Sequence, residues 1–360
     1  MRLPESIRIG PLLAALAALG ITAAVAAVSL QLGGFDPVAA GGAMLRGALG
    51  GKNAVLSITL VRSVPLILTG LAVALAFRAG IWNIGAEGQL YAGAVAAVWV
   101  GLKGGALPAV VLVPAVMLAA GIAGALWTLV PALMRLRMGV GEVITTILMN
   151  FVAIYLAAYV VHGPLQEARG VFPQTDPVVE AARLPLLVQG TRLHLGFLFA
   201  VCAAVALWAF FRWTVSGFRV RAVGANPEAA SVAGRMDAQR VAFRTFLVSG
   251  ALAGLAGGVE VAGVTYALYE GLSPGWGYTA IAVALLAGLN PLGVLAAGLL
   301  FGALEGGAGA MQREAGIPSA WVGAVEALAI LSVLVVDQIR RRRVWGAKPV
   351  PPLVEEASGD

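Results

Sequence analysis

Ten separate apolar runs, most of them about as long as a bilayer crossing, dominate this chain and leave it little means of folding in water. The first, residues 11–31, carries no charge and follows Arg2 and Arg8. Others occupy residues 54–77, 87–102, 107–134, 143–161, 193–211, 245–266, 278–289, 292–311 and 320–336. Composition agrees: 60% of residues are hydrophobic and 12% charged, where a soluble domain has about 45–50% and about 25%. An ordinary soluble enzyme is thereby excluded. With one cysteine and two histidines, a disulfide framework and a Cys or His metal cage are excluded as well. A cleaved signal peptide would account for the first run alone, but that run is long for an h-region and more spans follow. The expectation is an all-α polytopic membrane protein of about ten transmembrane helices, some short or broken, with both termini cytoplasmic. Residues 1–10 are the cytoplasmic N-terminus, 11–339 a single transmembrane domain, and 340–360 a basic then polar cytoplasmic tail.

The basic residues test this orientation independently of hydropathy. Of 24 Lys and Arg, 16 fall on the side assigned to the cytoplasm and 7 outside, with Arg62 left inside the second run. The same count makes 163–190 an extracytoplasmic loop and 212–243 a cytoplasmic one. Residues 278–289 would span only about 18 Å as a helix, and Asn290 and Pro291 then break the run. Two short tilted helices or a re-entrant pair both fit.

No constellation for catalysis is visible. Gly51-Lys52 lacks the remainder of a phosphate-cradling loop, and no Gly-x-Ser-x-Gly elbow occurs. The chain is expected to be no enzyme and to bind neither metal nor cofactor. Polar groups concentrate instead in residues 79–94, where Trp82, Asn83, Glu87 and Gln89 lie among Gly80, Gly85 and Gly88 at the edge of an apolar run. Unpaired polar groups in hydrocarbon are costly, so these must face protein or water. An interhelical brace and a role in a solute pathway both satisfy that demand. If helical, the spacing of four would put Asn83 and Glu87 on one face. Glu260 and Glu305 are further acidic groups within apolar runs, and intramembrane carboxylates are functional candidates. The spacings Gly250-x3-Gly254-x3-Gly258 and Gly298-x3-Gly302-x3-Gly306 permit close backbone approach and read as packing.

A second signal lies in the cytoplasmic loop. Asn226 as N-cap, Pro227 at the first helical position, Glu228 in the first turn and Gly234 as the stop specify a helix of barely two turns. So short a helix is marginal in water, and the membrane domain or a partner must hold it.

On these two stretches the sequence resembles the permease subunits of bacterial ABC importers, in the family that also serves simple sugars and branched-chain amino acids. Residues Asn83 to Gln89 look like the motif of the nucleoside-type permeases. Residues 139–150 are similar to the segment that opens a central helix there, with Gly141 where the family usually has Asn. Residues 221–230 and 249–257 look like the coupling loop and the helix after it. The resemblance implies pairing with a second, homologous permease, with ABC ATP-binding subunits that hold ATP and Mg, and with an extracytoplasmic substrate-binding lipoprotein, in the bacterial cytoplasmic (inner) membrane and without nucleic acid. It makes Arg221, Gly224, Asn226, Pro227, Glu228, Ala229, Ala230 and Gly234 the segment that couples to the ATPase. The function it implies is ATP-driven nucleoside uptake, with Trp82, Asn83, Glu87, Gln89, Glu260 and Glu305 at the substrate pathway. Competing readings are a simple-sugar permease, an ion-coupled transporter using Glu87, Glu260 and Glu305 as a proton relay, and a non-transporting scaffold.

Overall fold

The computed structural model describes residues 11–318 and six positions between 321 and 332. The tail 340–360, residues 1–10 and most of the expected span 320–336 lie outside the described residues. No strand occurs among the described residues, so the all-α expectation holds. Twelve helices follow in order: α1 (Pro11–Leu32), α2 (Pro37–Leu49), α3 (Lys52–Arg78), α4 (Ala86–Lys103), α5 (Ala109–Met138), α6 (Glu142–His162), α7 (Leu195–Trp213), α8 (Val215–Ala225), α9 (Pro227–Gly234), α10 (Ala238–Thr265), α11 (Trp276–Leu286) and α12 (Pro291–Glu314). Residues 39–317 form one compact unit; residues up to 38 and those from 318 form another, in which Gly33 leaves room for the Trp321 ring that Phe35 meets edge-on.

Six helices, α3, α5, α6, α7, α10 and α12, are long and apolar enough to cross a membrane. The remaining four of the ten expected spans include short helices, as expected, and the segment 320–336, most of which lies outside the described residues. Helix α4 falls short because Glu87, Gly88 and Gln89 occupy its first turn. Helix α11 has 11 residues, about 17 Å, and the chain reaches it through the non-helical stretch 266–275. The short element expected at 278–289 is thus a single helix entered from a loop.

Glycine sets how closely the helices pack. A Cβ on Gly254 would lie 2.3 Å from Ala120 O and 2.9 Å from Gly124 Cα, and one on Gly93 would lie 2.1 Å from Gly254 O. Gly250 faces Thr128, and Gly257 faces Leu90 O at 2.0 Å. Helices α4, α5 and α10 consequently touch backbone to backbone, as the first glycine repeat anticipates. The second repeat does the same for α12, with Gly298 against Ile67, Gly302 against Ser63 and Gly306 against Ile58 of α3.

The segments between helices gather at two ends. At one end, Gly80 packs on Gly224, and Trp82 N donates to Glu142 Oε1 (3.2 Å), which also pairs with Arg135 (3.3 Å). At the other, residues 163–194 dock on 266–270: Thr175 N donates to Leu268 O (2.8 Å) and Val178 N to Tyr266 O (2.7 Å). There His194 caps α7, its Nδ1 accepting from Gly196 N (3.1 Å); burial and neighbouring Arg192 hold its pKa down to about 4, so the ring stays neutral.

Candidate functional site

The motif at 79–89 begins where α3 ends. Gly80 takes φ +74°, Ile81 N donates back to Ala76 O (3.0 Å), and helix resumes at Ala86. Asn83 therefore precedes the helix and does not share a face with Glu87. Its Nδ2 donates to Gln89 Oε1 (3.0 Å) and Ser249 Oγ (2.9 Å), while its Oδ1 accepts from Gly85 N and from Gln89 Nε2. Ser249 Oγ donates onward to Ala72 O (2.6 Å). Asn150 adds Nδ2 to Ile84 O and accepts from Gly88 N, both at 2.8 Å. Asn83, Gln89, Asn150 and Ser249 are all buried. The polar groups of the motif are satisfied inside the chain, so the cost that argued for a pathway beside them does not arise.

Glu87 faces elsewhere. Its Oε2 accepts from Gly277 N (2.6 Å), and the Ser273 side chain bonds to the same carboxylate. Ser273 Oγ accepts from Trp276 N (3.0 Å) and Gly275 N (3.1 Å). Together they satisfy N–H groups that the buried start of α11 would otherwise leave unpaired. A Cβ on Gly277 would lie 2.2 Å from Glu87 N, so only glycine allows this approach. Replacing Glu87 by Ala should lower stability by about 1–3 kcal/mol. Glu87→Gln, which keeps an acceptor oxygen, should cost less. Thermal unfolding of the detergent-purified chain checks this, and an unchanged midpoint for Glu87→Ala would refute the capping role.

Beside the start of α11 opens a cavity of about 730 Å3. Its wall includes Arg62, Glu260, Tyr269, Trp276, Arg192 and Gln174. Glu305 stands at this wall through its partners: Arg62 Nη1 pairs with one carboxylate oxygen, and Trp276 Nε1 donates to the other (3.0 Å). Glu260 is 5% exposed; its carbonyl accepts from Thr265 Oγ1 (3.4 Å), and its carboxylate has no hydrogen bond or ion pair among the described residues. Two π-helical turns, Val55–Thr59 in α3 and Val261–Thr265 in α10, border the cavity through Ser57, Ile58, Val264 and Thr265. Such turns recur at functional sites because the additional residue re-aims the side chains around it.

Of the residues expected at a pathway, Glu260 and Glu305 thus meet at one cavity, while Asn83 and Gln89 are buried apart from it. Trp82 stands 54% exposed at the opposite end, its ring beside Phe77. Sequence reasoning did not single out Arg62, Tyr269 and Trp276. For Arg62 the signal was present, since it is the charge that no side of the membrane claimed.

The expected coupling segment forms α8 and α9. Asn226 Oδ1 accepts from Ala229 N (3.0 Å), Pro227 opens α9, Glu228 sits exposed in its first turn, and Ala230 is buried. Gly234 is the last helical residue; the left-handed position is Arg235 (φ +46°). Gly234 is small because the Met236 side chain occupies the space its Cβ would take. Gly224 is pinned against Arg78 O, 2.0 Å from where its Cβ would stand. Arg221 is exposed at this end beside Arg78, whose guanidinium lies over the Phe211 ring. Pro227, Ala229 and Val232 present an apolar exposed surface.

Among proteins of recorded function, the chain is 42% identical to a glucose ABC transporter permease of Haloferax volcanii, over 93% of this chain and 89% of that one. It is 40% identical to a guanosine ABC transporter permease of Bacillus subtilis, over 91% and 94%. A nucleoside ABC transporter permease of Lactococcus lactis is 33% identical over 84% and 85%. No solved structure matches. Residues 55–334 match the family described as branched-chain amino acid transport system / permease component. A bundle of membrane-length helices, an exposed two-turn helix between two of them and relatives along nearly its whole length agree: the chain belongs to this family of multi-pass ABC transporter permeases.

Proposed function

We propose that this chain is the permease of an ATP-driven importer of nucleosides in the bacterial cytoplasmic membrane, and that the cavity lined by Arg62, Glu260, Trp276 and Tyr269 is part of its solute path. Both termini and the α8–α9 end face the cytoplasm, in line with the basic residues gathered there, and ten crossings result once α1, α4, α11 and the segment 320–336 are counted. Helix α9 docks in a cleft of the ATPase subunit, which binds ATP and Mg; the chain itself needs no cofactor. The ordered segment 163–190 receives the substrate-binding lipoprotein, and a second homologous permease completes the path.

The observation that carries the nucleoside reading is the wall of the cavity. One indole, Trp276, and one phenol, Tyr269, for a base plane stand with the Glu260 carboxylate for hydrogen-bond donors, a combination suited to a flat heterocycle on a ribose. Glucose is the second reading, supported by the relative named for it and by the affinity of carboxylates for sugar hydroxyls. Asn83, Gln89 and Asn150 act as the brace that holds the start of α4, and Glu87 as the cap of α11. Uptake of labelled guanosine and of labelled glucose by proteoliposomes with the ATPase, second permease and binding protein decides between them. Guanosine uptake that requires internal ATP is expected. Uptake by the chain alone under a proton gradient would instead establish the ion-coupled alternative.

A further inference from the structure

Glu260 carries a carboxylate to which no described residue gives a hydrogen bond or a close ion pair, although Arg62 and Arg192 face it. Several polar groups around it are bonded within the chain: Glu305, just behind the wall, is held by Arg62 and Trp276, Gln174 Nε2 donates to Glu167 (2.6 Å), and Thr265 Oγ1 donates to Ala267 O (2.8 Å). Ser57 Oγ accepts from Arg192 N (3.1 Å), and Arg192 Nη2 reaches Val264 O. Glu260 is 5% exposed, and its carboxylate has nothing comparable among the described residues. It ends the regular part of α10, immediately before the π turn Val261–Thr265, and lines the cavity that holds Trp276 and Tyr269. No protein donor takes its two oxygens, and they open onto the cavity, where the donors of a solute can reach them.

We infer that Glu260 reads the base of the solute, its two oxygens accepting parallel hydrogen bonds from adjacent N–H donors of a guanine-type nucleoside, with the Trp276 and Tyr269 rings beside the base plane. This rests on the reading that nucleosides pass through the cavity. In its ionised form, which the facing Arg62 and Arg192 favour against burial, this carboxylate is acceptor-only and takes two donors side by side. Guanine offers that pattern through N1–H and its 2-amino group, whereas adenine and hypoxanthine present one donor next to one acceptor. A ring plane fixed by Trp276, whose indole N–H is already bonded to Glu305, aligns the base for this contact without losing a hydrogen bond of its own.

The substitution Glu260→Gln keeps the shape and turns the acceptor pair into one acceptor and one donor. In proteoliposomes of the whole importer, with binding protein in excess, it should lower the ratio of guanosine to inosine maximal uptake by about tenfold or more relative to the unaltered complex. Glu260→Asp, which retains the carboxylate, should slow uptake of both and keep the ratio. An equal loss for both nucleosides would mean that Glu260 contacts the ribose they share, and would overturn the inference, as would an unchanged ratio. A second measurement needs no variant. In nanodiscs holding the permease pair and ATPase without binding protein, 1-methylguanosine and inosine should displace tritiated guanosine about tenfold less well than guanosine does. Equal displacement by all three overturns the role of Glu260 while leaving nucleoside import standing. Glucose uptake with no guanosine binding or uptake overturns both.

Discussion

Deleting residues 227–232, or replacing Ala229 by Asp, abolishes substrate-stimulated ATP hydrolysis in the reconstituted importer while the chain still folds and inserts. Helix α9 packs mainly on its neighbours α8 and α10, and of residues 227–232 only Ala230 is buried. Its removal therefore costs the bundle little. Eight residues do not sustain a helix in water, yet Asn226 caps this one and Pro227 starts it, while Ala229 and Val232 remain exposed. An apolar surface on so marginal an element needs a groove that covers it, and a carboxylate at Ala229 would be buried there unpaired. The loss should reach the background rate, at least about a hundredfold, given about 3–5 kcal/mol for such a charge. A cysteine at Val232 in a Cys202→Ser background should cross-link to the ATPase subunit. Persistent stimulated hydrolysis after the deletion would remove α9 from the coupling role.

Gly254→Val prevents the chain from folding. The Cβ would lie 2.3 Å from Ala120 O and 2.9 Å from Gly124 Cα, and backbone atoms on two helices cannot both yield. Overpacking at a flexible site costs about 1–3 kcal/mol, and here no side chain can rotate away, so the whole stability of about 5–15 kcal/mol is at stake. Gly254→Ala already places that Cβ and should be nearly as damaging, whereas Gly41→Ala, which meets nothing within 4 Å, should be silent. Monodisperse elution in size-exclusion chromatography with fluorescence detection separates the two. A monodisperse Gly254→Val protein would mean that α5 and α10 are not in backbone contact.

What could be seen in the sequence was local. The cap and first turn of α9 follow from four neighbouring residues, and the two glycine repeats from spacing along one helix. The long spans follow from the length of apolar runs. What could not be seen joins distant parts of the chain: Arg62 to Glu305, 243 residues apart, and Glu87 to Gly277, 190 apart. Asn83 illustrates the reason. Its polarity demanded partners, and both a brace and a pathway would supply them; that Ser249 and Gln89 are those partners is visible only once distant parts of the chain are brought together. The buried start of α11 at Trp276 was likewise invisible, because the apolar run 278–289 does not reveal that Glu87 and Ser273 cap the helix.

The two π turns have a consequence for how this protein can change over generations. Each holds one residue more than the surrounding α-helix requires, and each residue turns a helix by about 100°. Losing a single residue from 55–59 would let α3 close into regular α-helix with its length and the register of Arg62 against α12 nearly unchanged, while the side chains of the turn itself, Ser57 and Ile58, would be re-aimed at the cavity wall. The same holds for 261–265, with Val264 and Thr265. Point substitutions retune this cavity gradually, but a three-nucleotide deletion in either turn would present it with a different set of side chains in one step.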